Sequence, residues 1–335
     1  MSIDQPQSPK TFWESLPKPF FVLAPLANVT DSVFRKLIAK HGKPDVLWTE
    51  FVSADGLVSP GREVLLHDLK FSKTERPIVA QLFTGHPDAM RKAATLVKEL
   101  GFDGLDINMG CPDRAVEKQG GGAAHMKDSK TAIEVIQAAR EGAAGLPISV
   151  KTRIGYNKVE MEWIRALLEL RLPALTVHLR TRKEMSEVAA HWELMPEIIK
   201  LRNEISPETL IIGNGDVLTI EEAKSKTEKY GCDGVMIGRG IFGTPWLFEN
   251  IRKEGKKQTS KNAKQKTPEE RLKIMVEHAK SFEKTFKGIK NFAVMKKHFK
   301  AYVSGWDGAK ELRVKLMETN SAKEVTKIVK EYLAN

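Results

Sequence analysis

The chain has 335 residues, 41% of them hydrophobic, and a net charge of +11, which suits one large barrel or two ordinary domains around a sizeable core. Its two cysteines, Cys111 and Cys232, lie far apart, which excludes a disulfide framework, and no Cys/His spacing fits a zinc site, so no metal is expected. No apolar run is long enough to span a membrane and Met1–Lys10 is polar, unlike a signal peptide, so the expectation is a soluble, cytoplasmic protein with no membrane partner.

β-prone runs recur at Phe20–Ala24, Val46–Val52, Pro77–Phe83, Gly104–Asn108, Ile148–Arg153, Ala174–His178, Leu210–Asn214 and Gly234–Gly238. Their starts lie about 24 to 44 residues apart with helical patterns between them, the size of a βα unit. Several are continuously apolar, as in parallel strands covered by helices. Eight such units predict an α/β fold, a (β/α)8 TIM barrel over residues 1–250. No Gly-x-Gly-x-x-Gly follows an early strand, which weighs against a Rossmann sheet.

Beyond the barrel, a lysine-, glutamine- and serine-rich stretch at 253–266 reads as a linker. Thr267-Pro268-Glu269-Glu270 reads as a helix start: threonine as N-cap, proline first, acids in the first turn. From there to Leu333 the pattern is helical, with breaks near Lys287–Ile289, Ser304–Gly308 and Thr319–Ser321. Residues 251–335 thus form an all-helical domain of four helices. They hold 22 lysines and arginines against 10 aspartates and glutamates; the rest of the chain holds 32 against 33. The positive excess lies wholly in the helical module, which points to a polyanionic partner. The plainer alternative is a lysine-rich solvated surface.

In a barrel the carboxyl ends of the strands share one mouth. Read in order, those ends offer Ala24-Pro25-Leu26-Ala27-Asn28, Glu50, Gln81, Asn108 with Cys111, Lys151 with Arg153, His178 with Arg180, Gly213-Asn214-Gly215-Asp216 and Gly238-Arg239-Gly240. Gly110 and Pro112 flank Cys111, so the thiol projects from a turn at a strand end. The alternative there is a buried structural cysteine. The paired glycine turns after the seventh and eighth runs stand where barrels bind phosphate. Lys151 points to an electron-accepting cofactor, since a lysine beside a flavin ring stabilises negative charge on it. Its alternative is an ion pair at the mouth with Glu50.

These residues resemble the tRNA-dihydrouridine synthase family, along nearly the whole chain. The resemblance rests on Ala24-Pro25-Leu26-Ala27-Asn28-Val29-Thr30-Asp31, Gln81-Leu82-Phe83, Asp106-Ile107-Asn108-Met109-Gly110-Cys111-Pro112, Gly120-Gly121-Gly122-Ala123, Val150 to Gly155, His178-Leu179-Arg180-Thr181-Arg182, Gly213 to Asp216, and Met236 to Gly240. It implies an FMN-bearing barrel followed by a helical tRNA-binding domain. FMN would contact Pro25, Leu26, Ala27, Gln81, Lys151, His178, Asn214, Gly215, Asp216, Gly238 and Arg239. Asn108, Arg153 and Arg180 would hold the uracil. NADPH would reduce the FMN, hydride would pass to C6 of a tRNA uridine, and Cys111 would protonate C5 as general acid. Lys296, Lys297, Lys300 and Arg313 are the candidate phosphate contacts. No stable protein partner is implied, so a monomer is expected.

Departures from the family pattern fall at Leu26, Asn28, His125-Met126 and 183–191, on the substrate loop more than on the reaction. The competing reading is an FMN-dependent barrel oxidoreductase of a small molecule, similar to dihydroorotate dehydrogenase or the old-yellow-enzyme group. It explains the barrel and glycine turns but not the basic helical module.

Overall fold

The computed structural model describes residues 11–249, 251 and 266–334. The polar start at 1–10 and the linker expected at 253–266, Lys266 apart, lie outside these residues. Eight strands follow in order: β1 (Phe20–Leu23), β2 (Leu47–Ser53), β3 (Ile78–Phe83), β4 (Gly104–Met109), β5 (Ile148–Arg153), β6 (Ala174–His178), β7 (Leu210–Asn214) and β8 (Gly234–Ile237). Neighbours pair in parallel in the order β1-β8-β7-β6-β5-β4-β3-β2. The ring closes at an isolated parallel bridge between Val22 and Val46, beside which the Asp45 N–H donates to the Phe21 carbonyl at 3.0 Å. The expected eight-stranded barrel is present, each strand within a residue of its sequence run.

Amphipathic helices pack outside: α1 (Ser32–Gly42), α2 (Pro87–Glu99), α3 (Ser129–Gly142), α4 (Met161–Glu169), α5 (Met195–Ile205) and α6 (Ile220–Tyr230). Local chemistry fixes their ends. The Asp31 carboxylate accepts from the Val33 and Phe34 N–H groups and caps α1. Thr219 and Glu222 form a capping box at α6, which ends on Gly231 at φ 75°. One large apolar cluster joins the outward strand faces to these helices.

The inward strand faces divide by height. Low in the barrel, Phe20, Val22, Trp48, Val79, Leu210, Ile212 and Met236 pack with Trp13 into a separate apolar plug. The same parity, carried towards the carboxyl ends, brings in Gln81, Asp106, Asn108, Lys151, Arg153, His178 and Asn214. Period-two alternation thus gives a dry floor and a polar mouth from the same strands.

One ion pair is wholly buried between α1 and the segment before β3. Arg35 Nε donates to Glu75 Oε2 at 2.8 Å, and its Nη groups reach the Thr30 and Lys70 carbonyls at 2.7 Å each. Removing one partner leaves the other charge uncompensated, which costs about 3–5 kcal/mol. Arg35→Met should lower unfolding free energy by that amount, read from urea denaturation midpoints; a loss below about 1 kcal/mol would mean the site relaxes around the unpaired glutamate.

Among the described residues the C-terminal module has four α-helices, as expected: α7 (Pro268–Phe286), α8 (Met295–Tyr302), α9 (Ala309–Met317) and α10 (Ala322–Ala334). Thr267 caps α7 in a capping box with Glu270, and Pro268 is its first residue. The module docks on α1 and, through Lys290 and Glu50, on the mouth end of β2. His278 stacks on Phe34 with ring centroids 4.8 Å apart, and Lys40 pairs with Glu277 at 2.6 Å. No helix among the described residues is long and apolar enough to cross a membrane.

Candidate active site

At the carboxyl ends of the strands lies a cavity of about 360 Å³. Its wall includes Pro25, Leu26, Gln81, Asn108, Cys111, Lys151, Arg153, His178, Arg180, Asn214, Gly215, Asp216, Gly238 and Arg239. Fourteen of the residues singled out in the sequence therefore meet in one place. Ala27 does not line it; it lines an adjoining cavity with Asn28, Glu50 and Lys290. Lys296, Lys297, Lys300 and Arg313 lie outside it, on the helical module. Arg313 is committed locally, donating to the Val303 carbonyl at 2.8 Å.

The turn carrying Cys111 is built by Asn108. Asn108 Oδ1 accepts from the Gly110 and Cys111 N–H groups at 3.2 and 2.9 Å, and its Nδ2 donates to Gln81 Oε1 at 3.1 Å. Below, Gln81 Nε2 donates to Asp106 Oδ2 at 2.6 Å, and Ser149 donates to Asp106 Oδ1 at 2.5 Å. Gly122 (φ 58°) passes so close that a Cβ would lie 2.6 Å from the Cys111 carbonyl, which accepts from the Ala123 N–H at 2.9 Å. The Gly120–Ala123 motif is thus the support of the cysteine turn. A clamp lies on the other side: Arg182 Nε donates to Glu117 at 2.6 Å, and the Tyr156 hydroxyl donates to the same carboxylate at 2.8 Å.

Burial raises the Cys111 thiol above its ordinary value, so it is protonated at neutral pH. Lys151 is pushed down to about 8, first by burial and then by Arg153. It has no hydrogen-bond partner among the described residues, and Asp106 is the carboxylate that favours its charge. The ion pair with Glu50 considered from sequence is not formed: Glu50 is held by Lys290 at 3.0 Å. Burial, reinforced by Lys151, Arg153, Arg180 and Arg239, drives His178 well below its ordinary value and keeps the ring neutral. Burial also raises Asp106 to about 6.

Arg153 and Arg180 line the cavity, and each spends donors on the loop after β6 as well as on neighbouring loops. Arg153 reaches the Gly110, Thr181 and Met185 carbonyls at 2.8, 3.0 and 3.1 Å. Arg180 donates to the Val188 carbonyl at 2.6 Å and pairs with Asp216, which Arg239 also holds at 2.6 Å. Met185 on this loop has φ 52° and lines the cavity with Ser186.

The glycine turns split by role. A Cβ on Gly213 would strike the Trp192 ring at 2.6 Å, and one on Gly240 would strike the Leu218 carbonyl at 2.4 Å. Those two glycines serve packing. Gly215 (φ 133°) and Gly238 line the cavity; a Cβ on Gly215 would also strike Ala190 at 2.7 Å, whereas Gly238 has room for one. With Arg239 and the backbone after β7 they form a cradle open to a phosphate, whose local carboxylate, Asp216, is already neutralised by two arginines. The Lys151 ammonium below, without a hydrogen-bond partner among the described residues, and this cradle at one end fit a flavin that carries a phosphate.

Asp106, Phe51, Met185 and Ser186 were not singled out from sequence. Asp106 shares inward parity with Asn108, a signal that was present. The two loop residues fall in 183–191, marked from sequence only as a departure from the family pattern. Cys232 precedes β8, buried and raised to about 11, as a structural cysteine should be. Among the described residues no cluster of three or more metal-ligating side chains occurs.

The family model described as "Dihydrouridine synthase (Dus)" matches residues 22–335. The chain is 43% identical over 326 residues to a "Probable tRNA-dihydrouridine synthase 2" of Bacillus subtilis, covering 96% of this chain and 97% of the relative. It is 42% identical over 329 residues to a "Probable tRNA-dihydrouridine synthase" of Staphylococcus aureus, covering 97% and 96%. Among solved structures it is similar in fold to a 2-naphthoyl-CoA reductase complex (TM-score 0.52, 10% identity, 69% of this chain and 49% of that one). A variant of NCR from Zymomonas mobilis is also similar (TM-score 0.50, 16% identity, 70% and 91%).

Proposed function

The chain belongs to the dihydrouridine synthase family, and on that premise we propose that it is an FMN- and NADPH-dependent oxidoreductase that reduces the C5–C6 bond of a uridine in tRNA. The observation that carries the reading is one cavity lined by the Cys111 thiol, the half-buried Lys151 ammonium, which has no hydrogen-bond partner among the described residues, and the turns at Gly215 and Gly238–Arg239. FMN, held by the residues below, would supply hydride chemistry directed at C6 of the uracil.

The protein's own residues do the rest. Gly215, Gly238 and Arg239 would hold the phosphate of the cofactor, and Pro25, Leu26, Gln81, Asn214 and Asp216 would complete its bed. Lys151 offers positive charge to the ring system. His178, kept neutral, offers a hydrogen bond without adding charge. Arg153 and Arg180 shape the loop that covers the uracil. Cys111 delivers its proton to C5, so that hydride and proton together saturate the bond. A uridine in folded RNA must leave its stack to enter, at a cost of a few kcal/mol. Lys296, Lys297 and Lys300 offset that cost by holding phosphates.

Nucleoside mass spectrometry of unmodified tRNA, incubated with the protein, FMN and NADPH, tests this. A gain of two hydrogens on uridine is expected. A yellow, folded protein that leaves several tRNAs unchanged would favour a small-molecule substrate instead.

A further inference from the structure

Beside the active cavity lies an ion cluster that the chemistry above does not use. Glu50, at the mouth end of β2, is 5% exposed, and its Oε2 meets Lys290 Nζ at 3.0 Å. Lys290 also meets Asp68 at 2.7 Å and sits over the Phe286 ring, 5.0 Å from its centroid. Asp31, buried at the α1 N-cap, and Lys297, half-buried on α8, feel the same charges. The acids belong to the barrel and both lysines to the helical module. Glu50 and Lys290 are 240 residues apart in sequence.

This contact is costly for what it holds. Taking Glu50 and Lys290 out of water carries a desolvation penalty that well-packed apolar residues would avoid. The apolar contact of Phe34 with His278 already joins the two modules. An ion pair adds what an apolar contact lacks, a fixed direction. The direction matters because of what each partner is attached to. Phe51, next to Glu50, lines both the active cavity and the adjoining one. Asn291, next to Lys290, caps the turn at Phe292–Val294 that runs straight into α8, the helix of Lys296, Lys297 and Lys300.

We propose that Lys290 is a positioning residue: gripped by Glu50 and Asp68, it sets the lysine face of α8 at a fixed place beside the cavity mouth, so that RNA held on the helix presents its base to the cavity. The role rests on the function proposed above. It predicts a defect in RNA engagement with the flavin site intact.

The test is steady-state kinetics on unmodified tRNA with the full chain loaded with FMN. Lys290→Met should raise KM for tRNA by about ten-fold or more, while NADPH bleaches the bound flavin at the wild-type rate. Lys290→Arg, which keeps the charge and the reach, should bring KM back to within about three-fold of wild type. An unchanged KM in Lys290→Met, or an arginine variant no better than methionine, overturns the proposal. Should Lys290→Met fail to fold, Asp68→Asn at the more exposed end of the cluster should raise KM in the same direction, and no rise overturns it. If the wild-type protein reduces no tRNA although NADPH bleaches its flavin, the proposed substrate is wrong and the positioning role falls with it. Turnover by wild type with no effect at Lys290 removes the positioning role alone.

Discussion

Cys111→Ala should slow tRNA reduction by about 10²–10⁴-fold, the usual worth of a positioned general acid, while flavin retention and its bleaching by NADPH stay at wild-type levels. The separation follows from the geometry. Asn108 fixes the turn through the backbone N–H groups of Gly110 and Cys111, so removing the thiol leaves the turn and the cavity wall in place. Burial raises the thiol, and the nearby charges of Lys151 and Arg153 oppose this only in part. A group whose pKa is raised keeps its proton further into alkali. Proton donation by Cys111 should therefore hold through neutral pH and fade only as pH climbs past the ordinary thiol range. Rapid-mixing kinetics that resolve flavin oxidation by tRNA check both points. Turnover within ten-fold of wild type in Cys111→Ala would transfer the proton donor's role to another group, with the bulk solvent first in line.

Eight β-prone runs at βα spacing made the barrel legible in the sequence, and the polar residues near most of their ends made its mouth legible. Most inward positions near the strand ends are polar, and parity is fixed because turning the strands over would press Asp106 and Lys151 against the apolar faces of the covering helices. The helix start at Thr267 was legible for a local reason, since a capping box needs four adjacent residues only. What was not legible is long-range. Lys290 is one of 22 basic residues in its module, and nothing near it in sequence names Glu50 as its partner. The course of the loop after β6 was not legible either: Met185 takes its left-handed backbone because Arg153 holds its carbonyl, and Arg153 lies 32 residues earlier. Within the two glycine turns, Gly213 and Gly240 are small because Trp192 and Leu218 need the space, a reason the turn pattern alone did not show. A glycine next to a strand end reports close approach, and only the structure says by what.

Lys151→Met should leave Cys111 in place yet shift the flavin itself. Lys151 stands inside the barrel without a hydrogen-bond partner among the described residues, and burial has already lowered it to about 8. An ammonium kept at that cost is stabilised when a negative charge arrives, and the bound flavin acquires one on reduction. Removing the lysine should lower the midpoint potential of bound FMN by tens of millivolts, since ~1.4 kcal/mol of lost stabilisation is ~30 mV on a two-electron couple. A pH signature accompanies it. In the free protein the ammonium is present below about 8 and is lost above it. Bound flavin that acquires negative charge pulls this value back up. Reduction of wild-type holoenzyme should therefore take up a fraction of a proton at Lys151 near pH 8, a fraction that Lys151→Met abolishes. Spectroelectrochemical titration from pH 6 to 9 reads both quantities without tRNA. Identical potentials and pH slopes in the two proteins would mean that Lys151 does not face the charge on the ring, and that Asp106 holds it only to balance the floor of the site. Such a result would leave the Cys111 prediction standing, because the thiol's turn is built by Asn108 and owes nothing to the lysine.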